Sequence, residues 1–154
     1  MAPRLCTGLL VLLVFFTTNA LGDEGEATPK PIAVVVGRQS FLQEISRDEL
    51  HEVYLRRQRL WSNGTRAVPI NLPPSDPLRE QFSRSVLGRS TQDLVAYWNS
   101  RYFEGVTPPL VLPSAAAVLA YLAVEPAAIG YVSLKDVDDS CRVLLVLDGA
   151  QTGP

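Results

Sequence analysis

Apolar positions along this chain alternate between short continuous runs and helically spaced stripes. Ile32-Ala33-Val34-Val35-Val36 is a continuous, largely β-branched run that stops at Gly37, the pattern of a strand covered on both faces. Shorter runs recur at Ala67–Asn71, Leu110–Leu112, Ile129–Ser133 and Val143–Leu147. Between them the period changes. Ser46-Arg47-Asp48-Glu49 matches a capping box with Ile45 and Leu50 at the staple positions, which predicts a helix through about Arg57 burying Leu50, Val53 and Tyr54. Asp76 as N-cap, Pro77 at the first helical position and Gly88 as a left-handed terminator bound a second helix with Leu78, Phe82 and Val86 inward. Ser90 with Asp93 caps a third, on which Leu94, Tyr97, Trp98 and Tyr102 mark one core-facing side, and Ser114 caps an Ala-rich helix at Ala115–Val124. Strands alternate with helices, so the expected class is α/β: one domain over residues 32–148, with a mostly parallel sheet flanked by helices. No internal repeat or low-complexity tract is visible.

The ends of the chain change the compartment. One positive charge at Arg4 precedes the apolar run Leu9–Phe16, and small residues fit cleavage after Ala20 or Gly22, the pattern of a secretory signal over residues 1–22. The run is well short of the roughly 20 residues that span a bilayer, so the expected product is soluble and periplasmic or secreted. Asp23–Pro31, acidic and with two prolines, reads as a flexible lead-in, and residues 149–154 as a flexible tail. Loss of Arg4 moves the formal net charge from −2 to −3, which gives no basis for nucleic-acid binding. Cys6 also leaves with the signal. Cys141 then stands alone without an internal disulfide partner, expected half-buried beside a strand.

Candidate chemistry concentrates in Ala67–Gly88. A strand runs into the loop Leu72-Pro73-Pro74-Ser75-Asp76, and a helix opens at Pro77 with Arg79 in its first turn. Unpaired backbone N–H groups and the helix dipole converge at such a start, where a basic side chain can help hold an oxyanion. The candidate ligands are Ser75, Asp76 and Arg79, each with a structural alternative. Ser75 could instead stabilise the turn, and Asp76 could cap the helix rather than accept a proton from hydrogenphosphate. Arg79 could be a solvated helix residue or a partner for Asp76 one turn back.

Other features point to less. Arg56-Arg57-Arg59 reads as a solvated helix face, and Asn63-Gly64-Thr65 as a turn rather than a glycosylation site. His51 has no second His or Cys at ligand spacing, so neither a metal nor a cofactor is implied. No nucleophile elbow, phosphate loop or paired carboxylates can be picked out, which argues against an enzyme.

The order of these pieces resembles a known family. The helix Glu49–Tyr54 leading to Leu60-Trp61-Ser62-Asn63-Gly64, the strand with Val68-Pro69-Ile70, then Arg79-Glu80-Gln81-Phe82, and later Ala128-Ile129-Gly130-Tyr131-Val132 are similar to phosphate-binding substrate-binding proteins of ABC transporters. The resemblance covers roughly Pro31 to Leu147 and the later part of such a protein. It implies a single periplasmic-binding-protein-like lobe, inorganic phosphate or a related oxyanion as ligand, and a membrane permease or envelope partner. Where the family typically reads Gly-Ser-Gly-Thr-Arg, this chain has Ser75-Asp76-Pro77-Leu78-Arg79, which keeps the arginine and replaces flexible donors with a carboxylate, a proline and an apolar side chain. The first-lobe ligands have no counterpart. Two outcomes follow: an anion-binding module whose cleft a homodimer could complete, or a degenerate relative without ligand that acts as an interaction or regulatory domain in the cell envelope.

Overall fold

The computed structural model describes residues 30–148 of the chain. The expected signal over 1–22 and its cleavage sites, nearly all of the lead-in and the 149–154 tail lie outside these residues. The elements run β1 (Ile32–Gly37), α1 (Arg47–Tyr54), β2 (Val68–Asn71), α2 (Pro77–Leu87), α3 (Asp93–Phe103), β3 (Leu110–Val111), α4 (Ala115–Leu122), β4 (Ala128–Ser133) and β5 (Cys141–Leu147), with a 3₁₀ turn at Leu134–Asp136. They build one α/β domain around a five-stranded sheet ordered β3-β2-β4-β1-β5.

The sheet is mixed, a change from the mostly parallel sheet expected. β2 pairs parallel with β3 and β4, whereas β1 runs antiparallel to both β4 and β5. Every residue of β1 is buried. An all-apolar β-branched run reports burial on both faces, and strand direction is set by connections that such a run does not encode.

Neighbouring residues of β4 point to opposite faces and show what covers each. A Cβ added to Gly130 would meet Val118 Cγ1 at 2.7 Å, so α4 lies close on that face. Tyr131, on the other, stacks on Phe82 of α2 with centroids 3.9 Å apart, and Phe82 meets Tyr54 of α1 at 4.7 Å. α4 also crosses β1 so tightly that a Cβ on Gly37 would sit 1.9 Å from the Leu122 carbonyl oxygen.

The helix boundaries follow their caps. Ser46 Oγ accepts from Glu49 N at 3.1 Å, with Ile45 and Leu50 both buried. Asp93 N donates to Ser90 Oγ at 3.0 Å while Ser90 N donates to Asp93 Oδ2 at 3.1 Å, a reciprocal box ahead of α3. Ser114 Oγ accepts from Ala117 N at 3.2 Å. α1 stops at Tyr54, three residues before the expected end. Arg56 takes a left-handed φ of 57°, its N–H donates to the Val53 carbonyl at 3.1 Å and that of Arg57 to the Glu52 carbonyl at 2.9 Å. These are the two bonds of a Schellman terminator, hidden in the sequence because arginine occupies the place where glycine is usual.

Three packing expectations change. Tyr97 and Trp98 pack against the core from partly buried positions, but Tyr102 is 68% exposed, because only Leu94 of α3 is buried. Cys141 is fully buried rather than half-buried, on a strand that starts two residues before the expected Val143. Arg56 is buried, contrary to the solvated face expected for the arginine cluster, since the terminator turns it under the chain.

Candidate functional site

β2 ends at Asn71, and its carboxyl end, with those of β3 and β4, opens toward the starts of α2 and α4. Crevices outside the carboxyl ends of parallel strands are the usual ligand positions in α/β sheets. Here a cleft of about 590 Å³ is lined by Leu72 after β2, Asp76 and Leu78 at the start of α2, Ala115 of α4, and Ser133 and Lys135 after β4. Lys30, Glu80, Arg84 and Asp136 stand at its rim. Arg84 is tied to Glu80 by an ion pair at 2.7 Å, whereas Lys30 and Lys135 make no ion pair with a described residue.

The loop into α2 is closed by its own hydrogen bonds. Asp76 N donates to the Pro73 carbonyl at 3.0 Å, a turn with Pro74 at its second position and Ser75 exposed at its third. Asp76 Oδ1 then accepts from Leu78 N at 2.8 Å, and the Asp76 carbonyl accepts from Arg79 N at 3.0 Å and Glu80 N at 3.3 Å. Pro77 has no N–H. No first-turn amide is left for a ligand, so the expectation that backbone donors converge there on an anion gives way to helix capping by Asp76.

Arg79 behaves differently from both of its structural alternatives. It is 8% exposed, and no carboxylate of the described residues lies within ion-pair distance, Asp76 included. Its Nη1 donates to the Leu72 carbonyl at 2.8 Å, while its Nε is enclosed without a partner. A guanidinium taken out of water without a counter-charge is costly, and such groups are ordinarily paired. The residue therefore carries unbalanced positive charge directly beneath Leu72, which lines the cleft.

Two phenols share its surroundings. Tyr131 OH donates to Asn71 Oδ1 at 3.2 Å and accepts from Leu72 N at 3.4 Å. Tyr54 OH donates to the Ile70 carbonyl at 2.9 Å. Burial pushes both hydroxyls well above their ordinary titration range, with the Arg79 charge pulling in the opposite direction. Both remain neutral donors at any physiological pH. Ser83, one turn after Arg79 on α2, is fully buried with an unpartnered Oγ.

Of the three predicted ligands, Ser75 sits exposed on the turn, Asp76 spends one carboxylate oxygen on the cap, and Arg79 lies behind Leu72. The lysines at the rim escaped sequence reasoning because nothing local marks them; only the fold brings Lys30 and Lys135 to the start of α2. His51 pairs with its neighbour Glu52, Nδ1 to Oε1 at 2.9 Å.

No family model and no curated protein sequence matches the chain. Among solved structures it superimposes on an ABC-type phosphate transport receptor from Vibrio cholerae, with a TM-score of 0.59 and 18% identity over 80% of this chain and 51% of that one. The lobe shares its fold with phosphate-transport binding proteins. A putative phosphate ABC transporter substrate-binding protein from Clostridium perfringens, solved with bound phosphate, gives a TM-score of 0.63 at 17% identity, covering 82% of this chain and 49% of that one. PstS from Borrelia burgdorferi gives 0.55 at 12% identity over 76% and 48%. The chain thus spans about half the length of the phosphate-binding structures it matches. Identities this low establish the common fold and leave ligand and partner to be argued from the site.

Proposed function

We propose that this protein is an exported, non-catalytic oxyanion-binding module that captures phosphate or a related anion at the cleft beside α2. The supporting observation is Arg79, a nine-tenths buried cation with no carboxylate of the described residues in reach and an unpartnered Nε. An oxyanion in the cleft would act on the Arg79 charge across Leu72, and Lys30 and Lys135 line the same cleft together with the carboxylates of Asp76, Glu80 and Asp136. The phosphate-binding fold and the signal-like first residues favour the same reading. The partner proposed for the open side of the cleft is a second copy of the chain, or a membrane permease or other envelope protein.

One observation favours a second reading. The Asp76 carboxylate caps α2 and stands at the cleft, where it repels a phosphate by roughly 1 kcal/mol at close range. On that reading the lobe has lost its ligand and serves as an interaction or regulatory domain. Calorimetric titration of the purified protein with inorganic phosphate, with sulfate alongside, separates the two. Binding at about micromolar affinity, near −8 kcal/mol, that disappears in Arg79→Ala supports the anion module. No heat and no thermal stabilisation at millimolar phosphate would overturn it in favour of the interaction domain.

A further inference from the structure

A second unbalanced guanidinium lies at the opposite end of β2. Arg56 is 6% exposed, its Nη1 donates to the Ala67 carbonyl at 2.9 Å, and its Nε is enclosed without a partner. Its neighbours are cations. The segment 59–67 folds back on itself, with Ala67 N donating to the Arg59 carbonyl at 2.9 Å and Trp61 N to the Thr65 carbonyl at 2.8 Å. This hairpin holds Arg59 and Arg66 near its open end, where Leu60 and Arg66 face each other. None of Arg56, Arg59 and Arg66 makes an ion pair with a described carboxylate. A recess of about 390 Å³ is lined by Arg56, Arg66, Pro108, Pro109 and Tyr121, and Arg66 also lines an adjoining one with Arg59.

The Schellman terminator of α1 holds Arg56 in this position. A left-handed φ costs a side chain of this size about 1 kcal/mol relative to glycine, and such a cost persists where the surroundings or a function hold the residue in place. Burial, and after it the charges of Arg66 and Arg59, disfavour the charged form of Arg56. An anion in the recess offsets the burial and like-charge penalties.

We infer that this recess is a second oxyanion site, in which Arg56 and Arg66 bind a phosphate monoester whose apolar part lies on Pro108, Pro109 and Tyr121. Two or three guanidiniums match a dianion better than a carboxylate, and their planar forks suit phosphate oxygens. The site is distinct from the cleft at Arg79. Val68 and Asn71, at opposite ends of β2, are about 10 Å apart along the strand.

The test is two-dimensional NMR of the labelled protein titrated with phenyl phosphate and, separately, inorganic phosphate, which locates binding without relying on variants. The expected result is saturable shifts of the Ala67, Val68 and Leu110 amides, separate from any response at Leu72 and Leu78. Arg66→Ala, at an exposed position, should weaken phenyl phosphate at this site about tenfold or more without altering the fold. Arg56→Gly should do the same, because glycine suits the left-handed conformation and the terminator survives. Stronger binding of phenyl phosphate than of inorganic phosphate supports the apolar contact. Unsaturated shifts at millimolar ligand, or saturable shifts that persist in both variants, would overturn the assignment. Because the responding amides differ, failure here is distinguishable from failure at Arg79.

Discussion

Replacing Arg79 with methionine sets the cost of its buried charge against the hydrogen bond it makes. The wild-type residue encloses a guanidinium with no carboxylate partner among the described residues and an unpaired Nε, at 8% exposure. Even after relaxation, burying an ion costs several kcal/mol. Methionine removes one charge-assisted hydrogen bond, from Nη1 to the Leu72 carbonyl at 2.8 Å, worth about 1.5–3 kcal/mol. It retains most of the methylene packing of the stem and can fill the space flexibly. The balance is a ligand-free protein that is more stable by about 1–2 kcal/mol, or about 4–8 °C in melting temperature for a domain of this size. Phosphate heat in calorimetry should vanish in the same variant. A protein that gains stability on losing a residue it needs for binding has been holding that residue in place for a ligand. Chemical denaturation and thermal melts without phosphate provide the measurement. A fall of more than about 2 kcal/mol in Arg79→Met would refute the reasoning and make Arg79 a tie between α2 and the loop after β2.

Three further outcomes follow from particular residues. Asp76→Ser keeps a good N-cap while removing the carboxylate, so stability should change by less than about 0.5 kcal/mol and phosphate affinity in calorimetry should rise about fivefold. Gly37→Ala places a methyl 1.9 Å from the Leu122 carbonyl oxygen, a backbone atom that cannot rotate away; a loss of about 3 kcal/mol, or failure to fold, is expected in denaturant titration. Glu80 accepts from Thr91 N at 2.8 Å and also from Thr91 Oγ1, and these bonds, with help from Arg84, hold its carboxyl below the usual 4.5. A depressed folded value means that its stabilisation is present above about pH 4.5 and is lost as pH falls through the folded value. Thr91→Val should therefore flatten the decline of melting temperature between about pH 5 and pH 3, and an unchanged slope would show that other carboxylates set it.

Much of the architecture was legible in the chain because it is encoded locally. The cap at Ser46, the reciprocal Ser90–Asp93 bonds just before α3, the cap at Ser114, and the Asp76-Pro77 start and Gly88 stop of α2 each involve residues within a turn or one helix of one another. The all-apolar run at Ile32–Val36 likewise reported a strand buried on both faces. Whether β1 runs parallel or antiparallel to its neighbours was decided by the connections, as was the order that places β1 between β4 and β5. Side-chain environments that depend on distant segments were also beyond local pattern. Arg56 looks solvated in sequence until an arginine in the glycine position of a helix terminator turns it under the chain. Arg79 looks like a surface residue one turn from Asp76 until Leu72 and the sheet close around it. Lys30 and Lys135 reach one cleft because β1 begins beside the end of β4. Local hydrogen bonds and periodicity are short-range quantities that a sequence states directly. Burial of charge is a property of what packs around it, and only the tertiary structure determines that.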